Sequence, residues 1–262
     1  MIDLKHTESM KALLDRVVEL SRHAGNAIME VYQGPAFQVT HKDDKSPLTA
    51  ADLASHHTIV AGLQKLTPQW PVLSEESEHT PYETRRDWHI FWLVDPLDGT
   101  KEFLKRNGEF TVNIALVDGD TPILGVVYAP ASGKMYFAAR GVGAFKQEND
   151  ETLPIRVQRG PGGATRVIVS RSHGSDETEL YTRQYGQCEF VPMGSSLKFC
   201  LVAEGVADVY PRSGPTMEWD TAAAHCILIL AGGCVTSADG QRLVYNKPSL
   251  LNPGFLASGV VG

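Results

Sequence analysis

Asp95 and Asp98 stand three residues apart in Trp92-Leu93-Val94-Asp95-Pro96-Leu97-Asp98-Gly99-Thr100. An apolar run delivers the first carboxylate at its end, proline forces a turn, and the second carboxylate follows. Two carboxylates so close repel each other unless positive charge lies between them, and hard oxygen ligands in such numbers suit Mg²⁺ or Mn²⁺. If Gly99 and Thr100 open a helix, its free amides and the Thr100 hydroxyl can hold a phosphate oxygen. A plain Asp-capped turn explains the same residues equally well, since Asp-Gly is common turn chemistry.

Three further acids occupy comparable places. Glu75, in Ser74-Glu75-Glu76-Ser77, follows a short apolar segment, so a carboxylate again ends a strand. Asp220, in Met217-Glu218-Trp219-Asp220-Thr221, reads as the N-cap of an apolar helix. Asp52 follows Thr49 at the spacing of a capping box. Cap and metal ligand are compatible roles, because both require an ionised carboxylate at a helix start.

The elements that must carry these acids alternate between helical and strand patterns. From Met10, apolar residues recur at Leu13, Leu14, Val17, Ala24, Ala27, Ile28 and Val31, which predicts a helix stopped by Gly34-Pro35. A polar segment over 37–45 runs into a loop at 43–47. A second helix opens at 49–52, carries Leu53, Val60, Leu63 and Leu66, and closes at Pro68 and Pro71. Strands are expected over 71–74, 90–94, 110–117, 122–129 and 135–138, with 118–121 as a hairpin turn. The Gly/Pro-rich stretch 159–164 is the expected boundary between an N-terminal lobe, 1–158, and a C-terminal lobe, 159–262, that completes one catalytic unit. Beyond it come a strand at 167–170, an exposed helix at 176–185, a buried helix at 197–203 and a strand at 207–210. An apolar helix at 220–231 ends at Gly232-Gly233. The pattern predicts an α/β (α+β) fold of layered helices and sheets, one sheet partly antiparallel.

Composition narrows the function classes. The 262 residues are enough for one large domain or two lobes. With 24 Lys and Arg against 31 acids the formal net charge is −7, which argues against a nucleic-acid polymer as partner. A small anionic substrate stays open if metal ions supply the positive charge. Cys188, Cys200, Cys226 and Cys234 form no C-x-x-C pair and read as reduced thiols. Acids spread through the first thirty residues, with no apolar core, argue against a signal peptide. The longest apolar stretch, 222–231, is broken by His225 and is shorter than the ~20 residues of a membrane span. A cytoplasmic protein without an integral membrane segment is expected. Gly141-x-Gly143 is neither a dinucleotide fingerprint nor a P-loop, and His56-His57 lack the partner at i+4 that a zinc helix needs. Ser170 to His173 resembles no nucleophile elbow.

Taken together, Asp95-Pro96-Leu97-Asp98-Gly99-Thr100, the upstream Glu75-Glu76-Ser77 and the downstream Trp219-Asp220-Thr221-Ala222-Ala223 resemble the motif blocks of the inositol monophosphatase superfamily of Mg²⁺-dependent, lithium-sensitive phosphatases. The likeness reaches from the first helix to about Gly254. Ser46 to Asp52, Lys101-Glu102-Phe103, Arg106 to Asn113, Gly194 to Lys198 and Tyr210-Pro211-Arg212 are similar to its 3′(2′),5′-bisphosphate nucleotidase branch.

The resemblance implies an α-β-α-β-α sandwich. It implies two Mg²⁺ ions, with a third in some members, on Glu75, Asp95, Asp98, Asp220 and the main-chain carbonyl of Leu97. Asp52 and Thr100, with Glu75, would orient the attacking water and relay its proton. Gly99, Thr100, Lys101, His173, Ser195, Lys198 and Arg212, beside Glu75, Asp98 and Asp220, would contact the substrate. Lys198 and Arg212 would approach its 5′-phosphate, since Arg suits bidentate phosphate contact. Ser195 and His173 would approach phosphate and ribose. Without the likeness, these four read as a solvated Lys, a surface-paired Arg, a capping Ser and a loop His.

The implied activity converts adenosine 3′,5′-bisphosphate to AMP and phosphate, with 3′-phosphoadenylyl sulfate as a related substrate. Its alternatives are an inositol or sugar phosphatase on the same fold and a non-catalytic nucleotide sensor. The resemblance is compatible with a monomer or a homodimer. Relatives associate with the inner membrane, but no basic amphipathic helix supports that here.

Overall fold

A computed structural model describes residues 2–34, 39–41, 47–78, 80–158, 163–170 and 183–259. Strand β4 (Ile90–Asp98) is apolar at successive positions because both faces of its sheet are covered. Phe91 and Leu93 point into one core, while Trp92 and Val94 point into another. The buried Trp92 indole N–H donates to the Thr67 hydroxyl at 2.8 Å, so the polar end of this large side chain is satisfied.

Among the described residues the sheet has seven strands. In spatial order they are β3 (Val72–Ser74), β4, β5 (Thr111–Asp118), β6 (Thr121–Ala129), β7 (Lys134–Ala139), β8 (Gly143–Glu148) and β9 (Glu151–Pro154). β3 runs parallel to β4; every other pair is antiparallel, with β5 and β6 joined by the expected hairpin. β8 and β9 were not legible in the sequence. Lys146, Gln147 and Glu148 interrupt any apolar alternation, and all four residues of β9 are exposed at the sheet edge.

Helices α1 (Thr7–Gln33) and α2 (Ala50–Leu66) cover the Trp92 face. The buried side of α1 presents Met10, Leu13, Leu14, Val17, Ala24 and Ile28 at helical spacing. The opposite face receives α5 (Leu197–Ala203) and α6 (Glu218–Leu230). Gly125 of β6 permits the close fit of α6: a Cβ there would lie 2.2 Å from the Ala223 carbonyl oxygen. Beyond these helices lies a second sheet, with five strands among the described residues. Its strands are β10 (Thr165–Val169), β11 (Cys188–Pro192), β12 (Val209–Arg212), β13 (Cys234–Ser237) and β14 (Phe255–Ser258), in the order β11-β10-β12-β14-β13. The short strands β1 (Val39–His41) and β2 (Pro47–Thr49) pair with each other, and α3 (Tyr82–Arg85) and α4 (Thr100–Leu104) flank β4. The described layers therefore run helix, sheet, helix, sheet. The helix expected over 176–185 lies mostly outside the described residues, as does most of the loop at 43–47.

One irregularity decides the chemistry. Asp95 pairs with Asn113 and Asp98 pairs with Thr111, so three steps along β4 match two along β5. This is a one-residue bulge, and Pro96 lies inside it, a usual place for proline in a sheet. In an unbroken strand, residues three apart face opposite sides. The bulge returns Asp98 to the Asp95 side, the side that faces α5 and α6.

Candidate active site

Each acid is delivered by a different element. Glu75 follows β3, and its amide donates to the Val94 carbonyl at 3.1 Å, which seats it beside Asp95. Asp95 is buried at the start of the bulge; one of its oxygens accepts the Leu97 amide at 3.0 Å. Asp52 is buried in the first turn of α2. One turn on, the Ser55 hydroxyl donates to the Pro96 carbonyl at 2.7 Å and docks that helix onto the bulge.

Asp220 corrects an expectation. It is not the N-cap of α6 but its third residue, because the helix begins at Glu218 with Met217 as cap. Its carboxylate accepts the Met217 amide at 2.8 Å, the acidic half of a capping box. The early start arises because the buried Glu218 carboxylate has partners of its own, the amides of Asn246 and Lys247 at 2.7 and 3.0 Å. The apolar pattern alone could not reveal them.

Carboxylate oxygens of Glu75, Asp95 and Asp220 all lie within 4.8 Å of one another. Asp98 stands beside this triplet and is held by the Ser196 amide at 2.6 Å. Thr100 is the first residue of α4, and its hydroxyl donates to the Leu97 carbonyl at 3.5 Å. Gly99 caps that helix with φ at +89°. A side chain there would be strained and would press on the Glu109 carbonyl at 3.1 Å.

Crowding has an electrostatic signature. Burial pushes the Asp95 carboxyl well above the ordinary range, and Glu75, Asp98, Asp220 and Asp52 push it further. Asp220 is raised to about 8, by burial first and by Asp98 second. Asp98 reaches about 6 through burial, restrained by the Lys198 ammonium and the Ser196 amide. Ionising these groups together is unfavourable unless positive charge arrives. An all-oxygen donor set without Cys or His fits a hard divalent cation, so the residues present suit a metal site.

The cations expected at the substrate gather next to the acids. Lys198, Arg212, Ser195, Asp98 and Asp220 line one cleft together with Tyr210. The Lys198 ammonium sits 5.5 Å from the centroid of the Tyr210 ring. Burial draws its pKa down while Asp98 holds it up. Arg212 donates to the Ser170 hydroxyl at 3.3 Å and the Pro215 carbonyl at 3.4 Å; its Nε is buried with no partner among the described residues. Ser195 adopts a left-handed φ of +47°, in a loop anchored by the Gly194 amide to Glu109 at 2.9 Å. Lys101 is exposed on α4 and is not part of the cleft wall. His173 lies outside the described residues.

Reading the sequence missed the polar support beneath Asp98. The Ser196 hydroxyl donates to Asn113 Oδ1 at 2.8 Å and lies 2.9 Å from the Thr111 hydroxyl. A signal was available: Thr111 and Asn113 are polar residues two apart within an apolar run, and buried polar groups call for partners. His56, dismissed as a zinc ligand, instead places Nδ1 2.9 Å from the Ser74 hydroxyl, next to Glu75.

The chain matches the model of the inositol monophosphatase family over residues 9–259. It is 52% identical to the 3′(2′),5′-bisphosphate nucleotidase CysQ of Salmonella typhimurium over 247 residues, covering 93% of this chain and 98% of that one. The protein of the same name from Escherichia coli strain K12 is also 52% identical, over 250 residues, with 94% and 99% covered. Among solved structures, CysQ from Bacteroides thetaiotaomicron, titled a bacterial member of the inositol monophosphatase family, superimposes with a TM-score of 0.83. Identity is 43%, and 94% of this chain and 97% of that one are covered.

Proposed function

The chain belongs to the inositol monophosphatase family, and we propose that within it the protein is a Mg²⁺-dependent 3′(2′),5′-bisphosphate nucleotidase. Its substrate on this reading is adenosine 3′,5′-bisphosphate, hydrolysed to AMP and phosphate in the cytoplasm, with 3′-phosphoadenylyl sulfate as a second substrate. The observation that carries the reading is the meeting of a carboxylate cluster with Lys198 and Arg212 in one cleft. A phosphomonoester needs only the first; a substrate bearing a second phosphate also uses the cations. The names of the relatives at 52% identity support the same substrate class.

Glu75, Asp95, Asp98, Asp220 and the Leu97 carbonyl are the groups that would hold Mg²⁺. When bound, the ions supply charge neutralisation at the scissile phosphate and lower the pKa of water. The protein's own work is then positioning. Thr100 and Asp52, with Glu75, orient the attacking water and relay its proton, the Thr100 hydroxyl passing it on to a carboxylate. The amides at the start of α4 face the phosphate. Lys198 and Arg212, with Ser195 and His173, hold the remainder of the nucleotide.

Side-by-side assays with adenosine 3′,5′-bisphosphate, inositol 1-phosphate and fructose 1,6-bisphosphate test the proposal. The bisphosphate nucleotide is expected to give the highest kcat/KM. A tenfold preference for inositol 1-phosphate, equivalent to about 1.4 kcal/mol of transition-state binding, would refute it.

A further inference from the structure

Lys247 lies far along the chain from the motifs above, yet its ammonium is half-buried with three partners. They are Glu218 Oε1 at 2.6 Å, the Val244 carbonyl at 2.9 Å and Asn252 Oδ1 at 3.1 Å. An ammonium has three donors, so its capacity is used in full. By taking the Asn252 oxygen it fixes which way that amide faces. Asn252 Nδ2 then donates to the Met217 carbonyl at 2.9 Å and to the Thr221 hydroxyl at 3.1 Å.

The main chain of Asn252 makes the decisive contact. Its amide donates to the Thr216 carbonyl at 2.8 Å. That carbonyl belongs to the planar peptide whose N–H, on Met217, donates to the Asp220 carboxylate at 2.8 Å. One end of a rigid plane is held by Asn252, and the other end aims Asp220. The Glu218 amide donating to the Leu250 carbonyl at 2.9 Å completes a short antiparallel clasp around Met217 and Leu251. Arg85 of α3 ties into the same segment through Asn246 and Pro248, each at 2.9 Å.

We propose that Lys247 and Asn252 are positioning residues that hold the Thr216–Met217 peptide and thereby set the Asp220 carboxylate for cation binding. The inference rests on reading Asp220 as a cation ligand. Asp220 is one of three acids whose oxygens converge within 4.8 Å. The other two are seated by the seven-stranded sheet. Asp220 comes from a helix start, whose placement the clasp determines. A helix N-terminus released from the clasp keeps its acid but loses the acid's direction.

The test titrates Mn²⁺ into metal-free protein by calorimetry, alongside the Mg²⁺ concentration for half-maximal phosphate release. The variants are Lys247→Met, Asn252→Ala and the double variant E218Q/K247M. Both single variants are expected to bind Mn²⁺ about tenfold more weakly and to need about tenfold more Mg²⁺, while KM for the nucleotide at saturating Mg²⁺ changes less than twofold. Lys247→Met leaves a buried carboxylate without its cation and can fail to fold. The double variant removes both charges, although a glutamine amide can accept from only one of the Asn246 and Lys247 N–H groups, and in the folded double variant the weakened Mn²⁺ binding should persist. Met10→Ala, a core change in α1 remote from the clasp, controls for general destabilisation and should leave Mn²⁺ affinity unchanged. Wild-type Mn²⁺ affinity in folded Asn252→Ala and E218Q/K247M overturns the proposal, as does an equal loss in Met10→Ala. A wild type that binds Mn²⁺ but releases no phosphate counts against the proposed function alone, because the calorimetry reads the clasp without turnover.

Discussion

The main-chain amide of Ser196 donates to the carboxylate of Asp98 at 2.6 Å, joining the loop that precedes α5 to the bulge in β4. The Ser196 hydroxyl reinforces this link through Asn113 and Thr111, the register partners of Asp95 and Asp98. Acid and loop therefore move together. Ser196→Ala strips a buried hydrogen-bond partner from Asn113, whose Nδ2 has none among the described residues. The expected cost is about 1–3 kcal/mol of stability. Urea denaturation reads it, and an unchanged midpoint would show that the network contributes nothing.

Asp98→Asn separates charge from shape. The amide oxygen can still accept the Ser196 N–H, so the fold should survive with an unchanged or raised melting temperature, one buried repelling charge having been removed. Activity should fall by a factor of roughly 100 or more, the scale of losing a group that stabilises charge in the transition state. Steady-state phosphate release at saturating Mg²⁺ measures it; near wild-type turnover would remove Asp98 from the metal site.

The clustered acids make stability depend on pH with a definite sign. Asp220 is raised from 3.8 to about 8 and Asp98 from 3.8 to about 6, so the folded metal-free protein binds more protons than the unfolded chain between these values. Stability present below pH ~4 is then lost as pH rises toward ~8. Melting temperatures of metal-free protein should fall across that window, through these groups. Added Mg²⁺ should recover more at pH 8 than at pH 5. A Mg²⁺-induced shift independent of pH would contradict this coupling.

Gly125→Ala addresses the contact between the sheet and α6. The new Cβ would meet the Ala223 carbonyl oxygen at 2.2 Å and Cys226 Cβ at 2.9 Å, and the nearer atom is backbone that no rotamer change can move. Overpacking of this kind costs about 1–3 kcal/mol or more. Because α6 also carries Asp220, kcat/KM should fall together with the denaturation midpoint. Loss of stability with wild-type activity would mean that α6 can retreat without carrying its acid away.

Local chemistry made much of this protein legible in the linear chain. The spacing from Met10 to Val31 sufficed for α1, since a helix repeats its buried face every few residues within one segment. Glu75 and Asp95 were recognisable because each ends a short apolar run, Asp98 because the Asp95-Pro96-Leu97-Asp98 motif ties it to Asp95 through adjacent residues, and Asp220 because it stands at the start of an apolar helix. What the chain could not declare are relations between segments far apart in it. Whether Asp95 and Asp98 share a face depends on the register with Thr111 and Asn113, which only sheet pairing sets. Where α6 begins depends on the Glu218 carboxylate meeting Asn246 and Lys247, almost thirty residues away in sequence. Such contacts leave no period in the sequence, because partners that meet across a fold need only be complementary in space.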